Sequence, residues 1–222
     1  MPSRDAREGS NGTRRNGHGG SGLSPKDLRT LRALKTPVEI QKFIDGLEFQ
    51  HADTAWPPGR VLRERRGHCL EGAVLAAAAL RIHGRPPLLM DLKAEHDNDH
   101  VVALYREGGL WGGIAKSNFA GLRFRTPIYR TLRELALSYF EHFYNLRGER
   151  TLRSYSRPVD LVRLERRRWM TADEEIWCVA EALTAARHYR LMPSKTVRRL
   201  PRLDRRSYEA GMHGWVKTGT RS

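Results

Sequence analysis

The longest apolar run of the chain lies near its centre and has the composition of a buried helix. Residues 70–82 are strong helix formers apart from Gly72, and the glycine and prolines at 84–87 end the run. Shorter apolar segments follow at 88–92, 101–105 and 110–115. Because polar or glycine-containing turns separate them, we interpret these segments as strands. The hydrophobic pattern therefore predicts a buried helix followed by an antiparallel sheet.

Helix-start signals lie on both sides of this centre. Thr36 and the residues after it combine an N-cap, a proline at the first helical position and a capping-box glutamate. Thr126 opens a second segment, in which apolar residues recur at spacings of three and four. A capping box at 171–174 opens a third, which extends through Ala186. We therefore predict an α+β fold with N-terminal helices, a helix beginning at Cys69 that packs on a small antiparallel sheet, and C-terminal helices.

The ends of the chain differ in composition from its centre. Residues 1–23 are rich in Gly, Ser, Asn and Arg and have almost nothing to bury, which predicts a disordered basic tail. The length of 222 residues suits one domain with extended ends, which we place at 24–190. The segment 191–222 is basic and broken by Pro and Gly, so we expect it to be only partly ordered.

The net charge of +15 raises the question of an anionic partner. Arginines cluster at 166–168 and 197–206, where they are suited to an acidic protein or to nucleic acid. No recognised DNA- or RNA-reading motif accompanies them, and a solvated basic surface is the alternative.

Two cysteines give no disulfide framework. With no signal-peptide core and no apolar run of ~18–20 residues, we expect a cytoplasmic protein that does not bind a membrane.

The candidate chemistry begins with Cys69, at the start of the buried helix. Unpaired N–H groups and the positive end of the helix dipole favour a thiolate there, and such thiols are nucleophiles at neutral pH. A nucleophilic cysteine needs a histidine from elsewhere in the fold. His100 ends a polar turn and opens a predicted strand, a suitable position for a base. The alternative for Cys69 is a small buried core residue.

A third residue would orient the imidazole of His100. If Gly108 and Gly109 form a two-residue hairpin turn, His100 lies opposite Ser117, and a turn one residue earlier places it opposite Ala115. Asn118 turns inward only through a β-bulge. Ser117 and Asn118 are therefore both candidates for the orienting residue.

Three short motifs occur in a familiar order. They are Gly67-x-Cys69-x-Glu71-x-Ala73 on the predicted helix, Asp99-His100 at the start of a strand, and Gly109-x-Trp111 on the next strand. This order resembles the transglutaminase-like superfamily, within the papain-like cysteine-enzyme fold. The resemblance extends over roughly residues 36–168.

The resemblance implies a role for each matching residue. In that family the cysteine is the nucleophile, the histidine is general base and acid, and an aspartate beyond the tryptophan orients the imidazole. Cys69 and His100 match; at the aspartate position this chain has Ala115, followed by Lys116, Ser117 and Asn118, and an asparagine serves as orienter in papain-like relatives.

The implied function is a transglutaminase-like cysteine hydrolase or acyltransferase that acts on an amide or ester through a thioester. A protein or peptide is the expected substrate, with neither metal nor organic cofactor. One alternative is a catalytically inactive module that binds a protein or peptide in the same cleft. Another is a basic nucleic-acid-associated protein.

Overall fold

The computed structural model describes residues 23–216, and its architecture confirms the α+β class. The predicted N-terminal tail, apart from residue 23, and residues 217–222 of the predicted C-terminal tail lie outside the described residues. The helices are α1 (Pro25–Ala33), α2 (Pro37–Asp45), α3 (Pro58–Glu64), α4 (Cys69–Ile82), α5 (Leu132–Phe140), α6 (Trp177–Thr184), α7 (Ser194–Val197) and α8 (Arg205–Gly211). Short 3₁₀ helices lie at Ala120–Leu122 and Leu161–Arg167.

The strands form two sheets. They are β1 (Glu48–Phe49), β2 (Arg66–Gly67), β3 (Leu88–Ala94), β4 (His100–Glu107), β5 (Leu110–Ile114), β6 (Arg125–Tyr129), β7 (Leu152–Ser156), β8 (Val159–Asp160) and β9 (His188–Arg190). The main sheet is antiparallel in the order β6-β5-β4-β3-β7-β9, with β8 also pairing with β3, while β1 and β2 form a small parallel pair. The three predicted strands are confirmed as β3, β4 and β5, but they are the centre of a larger sheet than predicted.

Helix α4 packs on the main sheet, as predicted. Its residues from Leu70 to Leu80 are all buried, because the sheet covers one side of the helix and α1, α2 and α3 contact it elsewhere. Strand β4 is apolar on both faces: Val101 and Ala103 join the α4 core, whereas Val102 and Leu104 join a second core with α5. This two-sided burial explains why the strand is a continuous apolar run and does not alternate.

Two predicted helix starts are wrong. The segment that begins at Thr126 lies in strand β6, and the helix starts only at Leu132, where the Thr131 hydroxyl accepts a hydrogen bond from the Glu134 N–H. Strand β6 is at the sheet edge, where a proline is tolerated because no partner needs its missing N–H.

The capping box at 171–174 does not start a helix either. Helix α6 begins later, at Trp177. The buried Ile176 donates its N–H to the carbonyl of Ala55, 2.7 Å away, so a tertiary contact holds this segment out of a helix. Local capping signals are weak compared with such contacts.

Gly72 has a steric reason to be glycine. A Cβ at this position of α4 would lie 2.4 Å from the Cβ of Lys116, in the segment that follows β5. The close approach seats the cysteine end of the helix against that segment. Lys116 cannot move away easily, because it is itself buried.

We expect Gly72→Ala to lower the free energy of unfolding by about 1–2 kcal/mol, since overpacking outweighs the better helix propensity of alanine. Urea denaturation monitored by circular dichroism measures the change. Gly46→Ala is the matched control, because a Cβ there would meet its nearest atom at an ordinary 3.5 Å. Equal effects of the two substitutions would contradict the steric explanation.

Candidate active site

Cys69 is the first residue of α4 and is partly exposed. The residues just before it are fixed, because the short strand Arg66–Gly67 pairs with Glu48–Phe49. His68 is the N-cap in an extended conformation, and its carbonyl accepts the first helical hydrogen bond from the Gly72 N–H at 2.9 Å. The N–H of Cys69 has no intrahelical acceptor at this position. The sulfur therefore lies at the positive end of the α4 dipole.

His100 is the first residue of β4 and is 4% exposed. Its Nε2 lies 2.8 Å from the carbonyl oxygen of Leu122. A carbonyl only accepts, so Nε2 carries a proton, which leaves Nδ1 as the ring nitrogen available to Cys69. Tyr139 and Phe143 contact the ring at near-edge angles, with centroids 6.3 and 6.2 Å away. The imidazole is thus held by a main-chain carbonyl and two aromatic rings.

Neither Ser117 nor Asn118 orients the imidazole; the Leu122 carbonyl has that role. The Ser117 Oγ accepts a hydrogen bond from the Phe119 N–H at 3.0 Å, and the Asn118 amide bonds to the main chain of Val216. The hairpin turn at 108–109 is confirmed, with both glycines at positive φ. However, pairing with β4 ends at Ile114, so the register that aligned Ser117 with His100 does not extend that far.

The two histidines together control the ionisation of Cys69. Burial raises the pKa of the thiol, but hydrogen bonds with His100 and His68, together with their charges, outweigh it and lower the pKa to about 5. The sulfur also lies 3.8 Å from the carbonyl oxygen of Asp99. At neutral pH the group is therefore a thiolate, the form that reacts as a nucleophile.

His68 is a site residue that the sequence analysis missed. Its Nε2 lies 2.7 Å from the Thr54 carbonyl and its Nδ1 lies 3.3 Å from the Leu70 N–H. Burial lowers the pKa of His68, whereas its hydrogen bond with Cys69 and the negative charges of Cys69 and Glu71 raise it to about 9. As a neutral ring, His68 caps α4 through Nδ1. As a cation, it places a positive charge near the thiolate. Its signal in the sequence is its position at the N-cap, directly before the cysteine.

Glu71 holds the start of α4 to the loop before α3. The carboxylate is fully buried. Its Oε1 accepts from the Thr54 hydroxyl at 2.7 Å and the Trp56 N–H at 3.0 Å, while Oε2 accepts from the His68 N–H at 3.0 Å. One donor is the N–H of the residue directly before Cys69 and the other two belong to the loop before α3, so this single carboxylate joins that loop to the start of the helix.

Cys69 and His100 open into a cavity of about 730 Å³. Ser117 and Asn118 line the same cavity, as does Trp215 from the C-terminal segment. The four residues chosen from the sequence are therefore brought to one cleft. Trp215 carries no local sequence signal, because only tertiary structure brings it to this cleft.

The arginines of the predicted basic patches lie on the surface. Residues 166–168 are exposed, as are Arg198, Arg199 and Arg202. Trp169, beside the first group, is fully buried and belongs to the core. Binding of an acidic protein or nucleic acid by these arginines stays a prediction. Within residues 23–216, no helix has the length and apolar character to cross a bilayer.

Comparison of the chain with protein-family models found no match, and comparison with curated proteins found no significant one. Among the described residues, no three His, Cys, Asp or Glu side chains lie close enough together to hold a metal ion. The features of this chain that indicate a function are therefore the positions of Cys69 and His100 in one cavity.

Proposed function

We propose that this protein is a transglutaminase-like cysteine hydrolase or acyltransferase, in which Cys69 forms a thioester with an acyl group taken from an amide or ester. The observation that carries the proposal is that Cys69, at a helix start, and a buried His100 line one cavity, where the imidazole helps to lower the pKa of the thiol. The alternative role of Cys69, a core residue, is not supported by its partial exposure in that cavity.

The chemistry follows from the atoms that surround the sulfur. The Cys69 thiolate attacks the carbonyl carbon, and the unpaired N–H of Cys69 is positioned to donate to the oxyanion that forms. Protonated His100 gives its Nδ1 proton to the leaving amine or alcohol as the bond from the carbonyl carbon to that group breaks. Water or an amine then attacks the thioester, His100 takes up its proton, and the free thiolate returns.

The Leu122 carbonyl performs the orienting part of this reaction. By accepting from Nε2–H it fixes the tautomer, so that Nδ1 is the ring nitrogen available to Cys69. A neutral carbonyl stabilises the imidazolium less than a carboxylate would, because it carries no charge. His68 supplies additional positive charge near the sulfur.

An activated ester tests the proposal directly. p-Nitrophenyl acetate should give a burst of p-nitrophenolate that is stoichiometric with the protein, followed by slow turnover, and intact-mass spectrometry should find acetylated Cys69. Cys69→Ala should abolish the burst, while Cys178→Ala, which removes the other thiol, should retain it. Adding hydroxylamine should speed turnover if amines can resolve the thioester. Absence of a Cys69-dependent burst would overturn the proposal.

A further inference from the structure

A second feature of the cavity is the contact between Asn118 and the C-terminal segment. The Asn118 Nδ2 donates to the Val216 carbonyl and its Oδ1 accepts from the Val216 N–H, both at 2.9 Å. One carboxamide therefore satisfies both main-chain groups of a single residue. This is the pairing that a residue of a β-strand offers to a neighbouring strand.

The contact is made to the main chain and not to the side chain. The Val216 side chain is 49% exposed, so its identity is not read. The neighbouring Trp215 lines the same cavity as Cys69 and His100. A segment of main chain thus lies along the wall of the cleft beside the nucleophile.

Asn118 is presented on a fixed segment. Two residues of the β5–β6 connection before it are held by other parts of the fold: Gln41 clamps Ala115 with the same two-bond pattern, at 3.0 and 3.1 Å. The buried Lys116 donates to the carbonyl of Leu47. A binding group on such a support needs little ordering when a ligand arrives.

The C-terminal segment, by contrast, is lightly attached. Helix α8, which leads to it, buries none of its residues. Its polar anchors are the Tyr144 hydroxyl, which donates to the Tyr208 carbonyl at 3.0 Å, and the Tyr208 hydroxyl, which donates to the Leu146 carbonyl at 3.2 Å. Just before α8, the Leu203 N–H donates to the Gly148 carbonyl at 2.8 Å and Arg150 donates to the Pro201 carbonyl at 2.7 Å. A segment with so little buried surface opens easily compared with the core.

We propose that the cleft beside Cys69 binds an extended polypeptide and that Asn118 binds the main chain of this polypeptide. In the free protein, Trp215 and Val216 of the same chain occupy the position of the bound polypeptide. The inference rests on the proposed function, because it takes the bound polypeptide to be the substrate of Cys69. Recognition through the main chain gives affinity without strong sequence dependence, as in strand addition. The cis segment is an intramolecular competitor, so substrate must displace it.

The test uses a fluorescein-labelled peptide with the sequence Met-His-Gly-Trp-Val-Lys-Thr, residues 212–218, and full-length Cys69→Ala protein, in which no covalent reaction occurs. Adding Val216→Pro removes the N–H that the Asn118 Oδ1 accepts and so releases the cleft. Fluorescence anisotropy should then report binding at least about tenfold tighter than in the parent, since each lost intramolecular hydrogen bond weakens the competitor.

Two controls separate the inference from simple opening of the cleft. Replacing Asn118 by Leu in the same background breaks the same intramolecular bonds, yet it should abolish the gain, because the binding group is lost. A peptide in which the valine is N-methylated should also bind at least about tenfold more weakly, whichever protein is used. Undetectable binding of the peptide by the Val216→Pro protein would overturn the inference. So would peptide binding that is not weakened by replacing Asn118 with Leu or by N-methylation of the valine.

The outcome is independent of the acyl-enzyme test. Peptide binding without a Cys69-dependent burst would leave the main-chain site standing and reject the proposed catalysis. A burst without peptide binding would reject Asn118 as the polypeptide-binding residue and retain the catalysis.

Discussion

Alkylation of Cys69 by iodoacetamide should proceed at nearly the same rate at pH 6 and pH 8. With a pKa of about 5, the thiol is already about 90% ionised at pH 6, so raising the pH adds little thiolate. Burial raises the pKa of Cys178, whose rate should therefore increase about tenfold per pH unit over this range. Mass spectrometry of peptides from one reaction measures both rates, so Cys178 is an internal control.

The pH profile is a better measure than the absolute rate. A thiolate of low pKa is intrinsically less nucleophilic, with a Brønsted coefficient of about 0.4–0.5, so at pH 8 Cys69 need not be faster than an ordinary thiol. His100→Ala should move the inflection to higher pH and lower the rate at pH 6, because its hydrogen bond and charge help to lower the pKa of Cys69. If the alkylation rate of Cys69 increased with pH as that of Cys178 does, Cys69 would not be a thiolate at pH 6.

Glu71→Ala should lower the free energy of unfolding by about 3–5 kcal/mol. The substitution leaves the Thr54 hydroxyl and the N–H groups of Trp56 and His68 without their acceptor. The Trp56 N–H is buried and the other two donors are partly buried, and each buried donor that loses its partner costs about 1–3 kcal/mol. Urea or thermal denaturation measures the loss, and it should be accompanied by slower alkylation of Cys69 at pH 6 because the backbone around the thiol loses its support.

Two further substitutions test whether the loss of stability comes from the buried carboxylate of Glu71. Glu71→Gln keeps one acceptor oxygen and should cost clearly less than alanine, since only part of the bonding is lost. Glu64→Ala alters an exposed glutamate of α3 and should change stability by no more than about 0.5 kcal/mol. If Glu71→Ala were as mild as Glu64→Ala, the buried carboxylate would not be what holds the helix start.

Sequence patterns predicted the centre of the fold well because local and tertiary preferences agree there. The capping box at Thr36 is formed, with the hydroxyl accepting from the Glu39 N–H and the carboxylate accepting from the Thr36 N–H. The apolar run after Cys69 is a buried helix. In α4 the residues that favour a helix locally are also those that pack in the core, whereas the capping box at Thr36 is exposed.

Prediction failed where short signals met long-range contacts. The periodic segment after Thr126 starts as an edge strand because β5 offers it a partner. The strands β7 and β9 are short, and serines fill two of the three buried positions of β7, so neither strand has the apolar pattern of a buried sheet. A single sequence does not reveal which distant segment offers a partner.

In the candidate site, too, the local features were predicted from the sequence and the long-range contacts were not. By itself the sequence determined that Cys69 begins a helix and that His100 begins a strand, because these positions follow from local periodicity and turns. Only the tertiary structure decided that the Leu122 carbonyl orients His100, since any residue type presents the same main-chain oxygen. It also decided that Asn118 faces Val216, 98 residues away, because side-chain direction at a loop end depends on packing that no local pattern encodes.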